Sequence, residues 1–324
     1  MKAWVVHEYG HYKNALKFDE ADAPVCEAES AVLDVKAAGV MYADLLNISG
    51  NYQMKAPLPF VPGSEAAGIV LNAGADSKFK PGDRVVTVNL MGAFAEQMLA
   101  IDQVSFRIPD SMSFADAAAF TINYQTSYFA LVHRANLKPG EWVLVHGGAG
   151  GVGTASIQLA KALGARVIAT AGGDDKVALC TACGADHAID YRANDFVAAV
   201  KQITGGHGAD VVVDPVGGDV FDASTKCIAF EGRIIVVGFA AGRIPTIAAN
   251  RMLVKNFGVL GLFWGAYQTR DPALVAGTQE LLYRMYDERK IKPVIAREYS
   301  IEGLPDALES IESRNCLGKP VLVR

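Results

Sequence analysis

The densest chemical signal is Gly147-Gly148-Ala149-Gly150-Gly151-Val152-Gly153, five glycines in seven positions. Gly148, Gly150 and Gly153 satisfy the spacing G-x-G-x-x-G. One residue without Cβ permits a tight turn, another lets the backbone approach a pyrophosphate, and a third lets a helix pack closely on a strand. The amides of Gly151 and Val152, where a helix is expected to begin, then meet the phosphate charge. A dinucleotide with a plain ribose is usually held by an acid at the tip of the second strand, about 20 residues on. Here that strand ends Ala169-Thr170-Ala171-Gly172-Gly173, without an acid. Gly172 leaves room for a 2′-phosphate, and Lys176 follows to meet its charge. Asp174 and Asp175 cut against this, and they read as the N-cap and first-turn acid of the next helix. The pattern favours NADP over NAD.

Other chemistries lack their residues. There is no P-loop, no G-x-S-x-G and no H-E-x-x-H. Cys180 and Cys183 form a lone C-x-x-C, expected as two small buried side chains on one helical face. The six histidines are scattered, and His146 is expected to pack or bond backbone at the end of the first nucleotide-binding strand. No metal is predicted. Five cysteines in 324 residues make no disulfide framework, which suggests a reducing, cytoplasmic setting. A net charge of −5 supplies no general attraction for nucleic acid. The start of the chain meets acid too soon for a signal peptide, and no membrane association is expected.

The elements around the glycine turn follow a consistent pattern. Strands are expected at Trp142–His146, Arg166–Thr170, His187–Asp190, Val211–Asp214, Arg233–Gly238 and Phe257–Phe263, as nearly continuous apolar runs. Helical stretches are expected at Val152–Leu163, Asp174–Cys183, Asn194–Ile203 and Val220–Ala229. Such runs suit a parallel sheet covered on both faces, so a doubly wound α/β domain follows. Residues 1 to about 120 instead show short runs, such as Ala31–Val35, Ala67–Leu71, Val85–Val88 and Phe94–Leu99, broken by turns such as Pro81-Gly82-Asp83. They predict a β-rich domain with a short helix at Tyr42–Leu46. Beyond 265, helices at Ala273–Glu288 and Leu304–Ser313 and a strand at Pro320–Val323 are expected to return to the first domain.

Several further marks run nearly end to end: Ala38-Gly39-Val40 through Ala43-Asp44, Pro62-Gly63-Ser64-Glu65-Ala66-Ala67-Gly68, Leu137-Lys138-Pro139-Gly140-Glu141, Asp190-Tyr191-Arg192 and Asp214-Pro215-Val216-Gly217-Gly218. With the glycine turn, they resemble a zinc-independent medium-chain dehydrogenase/reductase of the quinone oxidoreductase, zeta-crystallin-like group. The resemblance implies a GroES-like catalytic domain (1–122 and 266–324) around a Rossmann NADP(H)-binding domain (123–265), with the active site in the cleft between them. Zinc-dependent relatives place a ligand Cys just before the Asp of the first mark and a His before the Glu of the second. This chain has Val40-Met41-Tyr42-Ala43 and Ser64 there.

By the same resemblance Lys176, Tyr191 and Arg314 meet the NADP 2′-phosphate, with Arg314 the softest match because Lys319 and Arg324 lie close by. Thr126 meets the nicotinamide amide, and Phe239, Leu262 and Phe263 border its ring. Tyr52, in Gly50-Asn51-Tyr52-Gln53, matches a tyrosine at the cleft, where a phenol would hydrogen-bond the developing enolate or quinol oxygen. Tyr42 is a second candidate. The implied activity is NADPH-dependent, metal- and flavin-free reduction of a small quinone or an α,β-unsaturated carbonyl. A 2-enoyl thioester reductase and a non-enzymatic NADPH- or RNA-binding protein are the alternatives. A homodimer through the apolar edge strand Phe257–Phe263 is expected.

Overall fold

Six predicted strands in the middle of the chain pair with one another, the inner ones largely buried and the two edge strands only partly. In the computed structural model, which describes residues 1–324, they form one six-stranded parallel sheet. Its order is His187–Asp190, Arg166–Ala171, Trp142–Val145, Ala209–Asp214, Ile228–Val236, Gly258–Gly261. The order reverses beside Trp142–Val145, the strand that feeds the glycine turn, and a nucleotide binds at such a switch point in doubly wound sheets. Leu144, Ile168, Val212 and Ile234 fill its core.

The intervening helices are Gly151–Ala162, Asp174–Ala182, Phe196–Ile203 and Gly218–Cys227. Phe196–Ile203 starts two residues later than predicted, because Asp195 caps it by accepting the Val197 N–H at 2.9 Å. Gly218–Cys227 stops early. Ile228 already pairs with Ala209 as a strand, and Glu231 turns the backbone through a φ of 57° before the ladder resumes at Arg233. Gly173, not Asp174, is the N-cap of the helix Asp174–Ala182, so both acids lie in its first turn.

The chain separates into two units. One comprises Met1–Ile122, Gln268–Asp287 and Pro293–Arg324; the other comprises Asn123–Tyr267 and Glu288–Lys292. Residues 266, 267 and 288–292 thus cluster with the nucleotide-binding sheet rather than with the first unit. Local contacts account for this. The Tyr267 ring lies 4.7 Å from that of Phe129, and Lys292 exchanges hydrogen bonds with Gln158 through its N–H (2.7 Å) and carbonyl (2.9 Å).

The first unit holds a seven-stranded sheet in which Ser30–Gly39 is central. It pairs antiparallel with Glu65–Ala73, Gln97–Ile101 and Lys319–Val323. Val35, Ile48, Phe60, Phe94, Leu304 and Leu322 pack the core of this unit. Phe94 lies outside the strand predicted to start with it; its N–H and carbonyl bond Pro62 and Trp4, and the strand begins at Gln97.

The helix Phe114–Tyr128 was absent from the predicted elements. Its middle is buried on every side, polar Thr121, Asn123 and Gln125 included, so no helical period shows. Ser113 marks its start, accepting the Asp116 N–H at 2.9 Å.

Candidate active and cofactor sites

In the second unit the glycine turn is closed by its own backbone. Gly147 takes a φ of 59°, and its carbonyl accepts the Gly150 N–H at 2.9 Å. A Cβ on Gly153 would stand 2.2 Å from the Gly147 carbonyl, and one on Gly148 would stand 2.7 Å from Cys180 Sγ. A Cβ on Gly151 would meet Asn123 Nδ2 at 2.5 Å. Gly153 therefore demands glycine, since backbone would have to move, whereas at Gly148 and Gly151 the Cys180 and Asn123 side chains would have to shift; Gly150 is the N-cap of the helix Gly151–Ala162. Val152 in its first turn accepts a bond from Ser127 Oγ at 3.1 Å, which ties the turn to the helix that also carries buried Thr126.

The tip of the second strand is a cradle of a different kind. A Cβ on Gly172 would lie 2.8 Å from both the Tyr191 phenol oxygen and Arg192 Nε. Asp190 Oδ1 accepts from Gly173 N (3.1 Å) and Arg192 N (2.9 Å), which fixes the loop that presents those two side chains. Lys176 sits in the first turn of the adjacent helix. The structure thus gathers Gly172, Tyr191 and Arg192 at one place; Arg192 was not singled out from sequence, although it stands in the quoted Asp190-Tyr191-Arg192 mark. Arg314 belongs to the first unit, exposed just past the helix Leu304–Glu312.

Phe239 is half-buried against Gly217; Leu262 is buried and its N–H bonds Val236; Phe263 is exposed beyond the strand end. Asp214 steadies the neighbouring loop, its Oδ1 accepting Val216 N at 2.8 Å and Gly217 N at 2.9 Å.

His146 packs as expected, buried with its ring 5.0 Å from that of Phe196, and that ring bonds side chains rather than backbone. Its Nδ1 and Nε2 lie 2.8 Å from Thr170 Oγ1 and Ser224 Oγ. Ser224 already donates to Val220, so Nε2 carries the ring proton and Nδ1 accepts from Thr170. Burial pushes this imidazole down to about 3, so it is neutral at physiological pH. Cys180 is buried, whereas Cys183 is only half-buried at the helix end, so the pair does not share one buried face.

The first unit carries a separate polar cluster. The short helix Tyr42–Ser49 places half-exposed Tyr42 at its first position and fully buried Asp44 in its first turn. Asp44 Oδ2 accepts the Met41 N–H at 2.8 Å, while Oδ1 has no partner. Gly50, with a φ of 73°, ends the helix and turns the chain back, so that Tyr52 N bonds the Leu46 carbonyl at 3.2 Å. Tyr52 is half-buried, and burial and then the Asp44 charge raise its phenol.

Glu65 pairs in register with Gly39, and Gly39 with Val321. That sheet geometry delivers Lys319 to Glu65, and the two form an ion pair with 2% and 0% side-chain exposure. Gly39 leaves the space they use: a Cβ there would stand 2.5 Å from Lys319 Cε and 2.2 Å from the Ala118 carbonyl. Glu65 Oε1 also accepts the Ile122 N–H at 3.0 Å. Burial raises the Asp44 carboxyl to about 7; the Met41 N–H and Lys319 act the other way. Sequence reasoning quoted Asp44 and Glu65 only as parts of family marks, and Lys319 only as a neighbour of Arg314.

Residues 27–110 match the family described as alcohol dehydrogenase GroES-like domain, and residues 151–276 match that described as zinc-binding dehydrogenase. Rat quinone oxidoreductase-like protein 2 is 38% identical over 336 residues, spanning 99% of this chain and 96% of its own length. The chain belongs to the quinone oxidoreductase family. The human quinone oxidoreductase is 32% identical across 100% of this chain and 98% of its own. An Escherichia coli quinone oxidoreductase structure, complexed with NADPH, matches with a TM-score of 0.93 at 30% identity, covering 100% of both chains.

Within the quinone oxidoreductase family, zinc is the ion that one matching description implies, and the side chains here do not fit it. No three His, Cys, Asp or Glu side chains come together. Met41 and Ser64 occupy the region where zinc-dependent relatives carry ligands; Ser64 donates to the Leu90 carbonyl instead, and Glu65 is engaged by Lys319.

Proposed function

We propose that the protein is an NADPH-dependent reductase of small quinones or α,β-unsaturated carbonyls that works without metal or flavin. The observation that carries this reading is the Gly172 cradle. A strand tip without an acid, where a Cβ would collide with Tyr191 and Arg192 at 2.8 Å, suits a phosphate group, and Lys176 adds a cation beside it. The glycine turn and the N–H groups of Gly151 and Val152 suit the pyrophosphate. Thr126, Phe239, Leu262 and Phe263 are the candidates for the nicotinamide end, and Arg314 for a further phosphate contact.

When bound, NADPH supplies the hydride. The chain's own residues orient the two reactants, and Tyr52 gives a hydrogen bond to the oxygen that gains negative charge. A quinone or an enone spreads that charge itself, which suits a site without a Lewis acid. We infer a homodimer through the edge strand Gly258–Gly261, which light scattering of the purified protein tests.

Turnover of NADPH with a panel of quinones and enones tests the reading, and no oxidation with any acceptor refutes it. Crotonyl thioester beside 9,10-phenanthrenequinone separates the thioester reductase alternative. Lys176→Ala is expected to raise KM for NADPH by about 1–3 kcal/mol in free energy and to leave NADH nearly unchanged. An equal effect on both cofactors removes the 2′-phosphate assignment.

A further inference from the structure

The ladder between the first two strands of the nucleotide-binding sheet ends at the pair Val145 and Ala169. Past it, one strand runs into the glycine turn and the other into Gly172 and its cradle. The next pair, His146 and Thr170, is joined by side chains, the Thr170 hydroxyl donating to His146 Nδ1 at 2.8 Å. The Thr170 carbonyl accepts the Gly148 N–H at 2.9 Å. On its far side the ring donates from Nε2 to Ser224 Oγ at 2.8 Å, and Ser224 donates to the Val220 carbonyl at 2.7 Å. The three side chains are 1%, 3% and 0% exposed for His146, Thr170 and Ser224, and the Phe196 ring meets the imidazole edge to face at 5.0 Å. Every proton in this chain of bonds has an acceptor, so the ring has one position and one tautomer. An aliphatic side chain would fill the same space with no partner to satisfy, so the polar chain is there to hold something in place.

We propose that His146 is a positioning residue for the cofactor: by holding Thr170 it fixes the spacing between the glycine turn and the Gly172 cradle, and so sets the preference for NADPH over NADH. This rests on the 2′-phosphate reading and deepens it. The turn keeps its own shape through the bond from Gly150 N to the Gly147 carbonyl, and it serves the pyrophosphate that both coenzymes carry. Only NADPH has a 2′-phosphate, which must meet Tyr191, Arg192 and Lys176 while its pyrophosphate is anchored at the turn. The Asp190 loop holds one flank of the second-strand tip, through Gly173 N at 3.1 Å and the bond from Tyr191 N to the Ala171 carbonyl at 3.1 Å. His146 holds the flank that faces the turn. A tip free to drift relative to the turn must be ordered when the 2′-phosphate binds, and that cost falls on NADPH more than on NADH.

Thr170→Val and Ser224→Ala test this as a pair. Each takes one hydroxyl from the same buried chain, so each carries a similar structural cost, but only the first cuts the link to the second strand. Titration calorimetry with NADPH and NADH is the assay. Thr170→Val is expected to lower the ratio of NADPH to NADH affinity about three- to tenfold, the worth of one hydrogen bond, whereas Ser224→Ala should lower the melting temperature and keep the ratio within about twofold. His146→Leu should lose the ratio as Thr170→Val does, and His146→Gln, whose amide can both accept from Thr170 and donate to Ser224, should retain it. A further readout uses the wild type: with isotope-labelled histidine ring nitrogens, the Nδ1 signal that is missing from His146→Gln should move further with NADPH than with NADH. That comparison decides the matter if Thr170→Val or His146→Leu fails to fold. A ratio unchanged in both of those variants, a ratio that falls equally in Ser224→Ala, or a ring signal that moves alike with the two coenzymes overturns the proposal. A wild type that binds NADH as tightly as NADPH refutes the 2′-phosphate reading, and the proposal falls with it; a wild-type preference that survives the variants refutes the proposal alone.

Discussion

Lys319→Met removes the cation from a carboxylate that water cannot reach. The Glu65 and Lys319 side chains are 0% and 2% exposed. After the substitution Glu65 keeps the Ile122 N–H at 3.0 Å but has no opposite charge. Breaking a buried pair from one side costs about 3–5 kcal/mol, because an uncompensated charge stays behind. For a unit of this size that amounts to roughly 10 °C in the melting transition at pH 7.5. The loss has a pH signature. Burial already raises Glu65, and without Lys319 it rises further. A carboxyl raised above its unfolded value contributes stability that is present below the unfolded value and lost as pH climbs through the folded one. The gap between wild type and Lys319→Met should therefore narrow as pH falls from 7.5 towards 5. The double variant Glu65→Gln/Lys319→Met leaves no buried charge at the pair and should recover most of the loss. Calorimetry of the three variants against wild type at two pH values is the assay. A single variant within about 1 kcal/mol of wild type, or a double variant less stable than the single, refutes the reasoning.

Two further perturbations probe the second unit. Gly153→Ala puts a Cβ 2.2 Å from the Gly147 carbonyl, where backbone must move; titration calorimetry should show NADPH binding lost or weakened at least tenfold, and unchanged affinity would remove the close helix–strand approach from the argument. His146, held down to about 3 by burial, contributes stability that is complete above its ordinary value of 6.5 and declines as pH falls below it, by about 3 kcal/mol at pH 4. Asp44, pushed up to about 7, has the opposite sign, its contribution being lost as pH rises from about 4 through 7. Acid should thus weaken the second unit relative to the first in a calorimetric scan. His146→Gln should flatten the slope of the second unit and Asp44→Asn that of the first; slopes unaltered in both would show that neither group titrates as its burial demands.

What the sequence made readable divides along physical lines. The inner parallel strands were legible because burial on both faces makes them apolar runs, and the glycine turn because a Cβ at Gly153 would run into the Gly147 carbonyl. The helix Phe114–Tyr128 was not, since burial on every side erases its period, although Ser113 and Asp116 do spell a helix start. Ile228 and Ala229 read as helix because nothing local shows that Ala209 is the strand partner of Ile228. The partners of His146, Thr170 and Ser224, lie 24 and 78 positions away, beyond any spacing rule.

The polar cluster of the first unit shows most clearly why residues quoted only as marks acquire chemistry in three dimensions. Lys319 reaches Glu65 across 254 positions, and only the shared register of Gly39 with both strands makes that encounter necessary. The cluster then holds two buried carboxyls and one ammonium. A low-dielectric interior does not sustain the surplus negative charge. One carboxyl must keep its proton up to a higher pH than the other environments of the chain would require. Glu65 has the ammonium and backbone N–H groups to favour its charge; Asp44 has a single backbone N–H and an oxygen facing nothing. Burial raises both carboxyls, and Asp44, with the weaker set of partners, is pushed up to about 7.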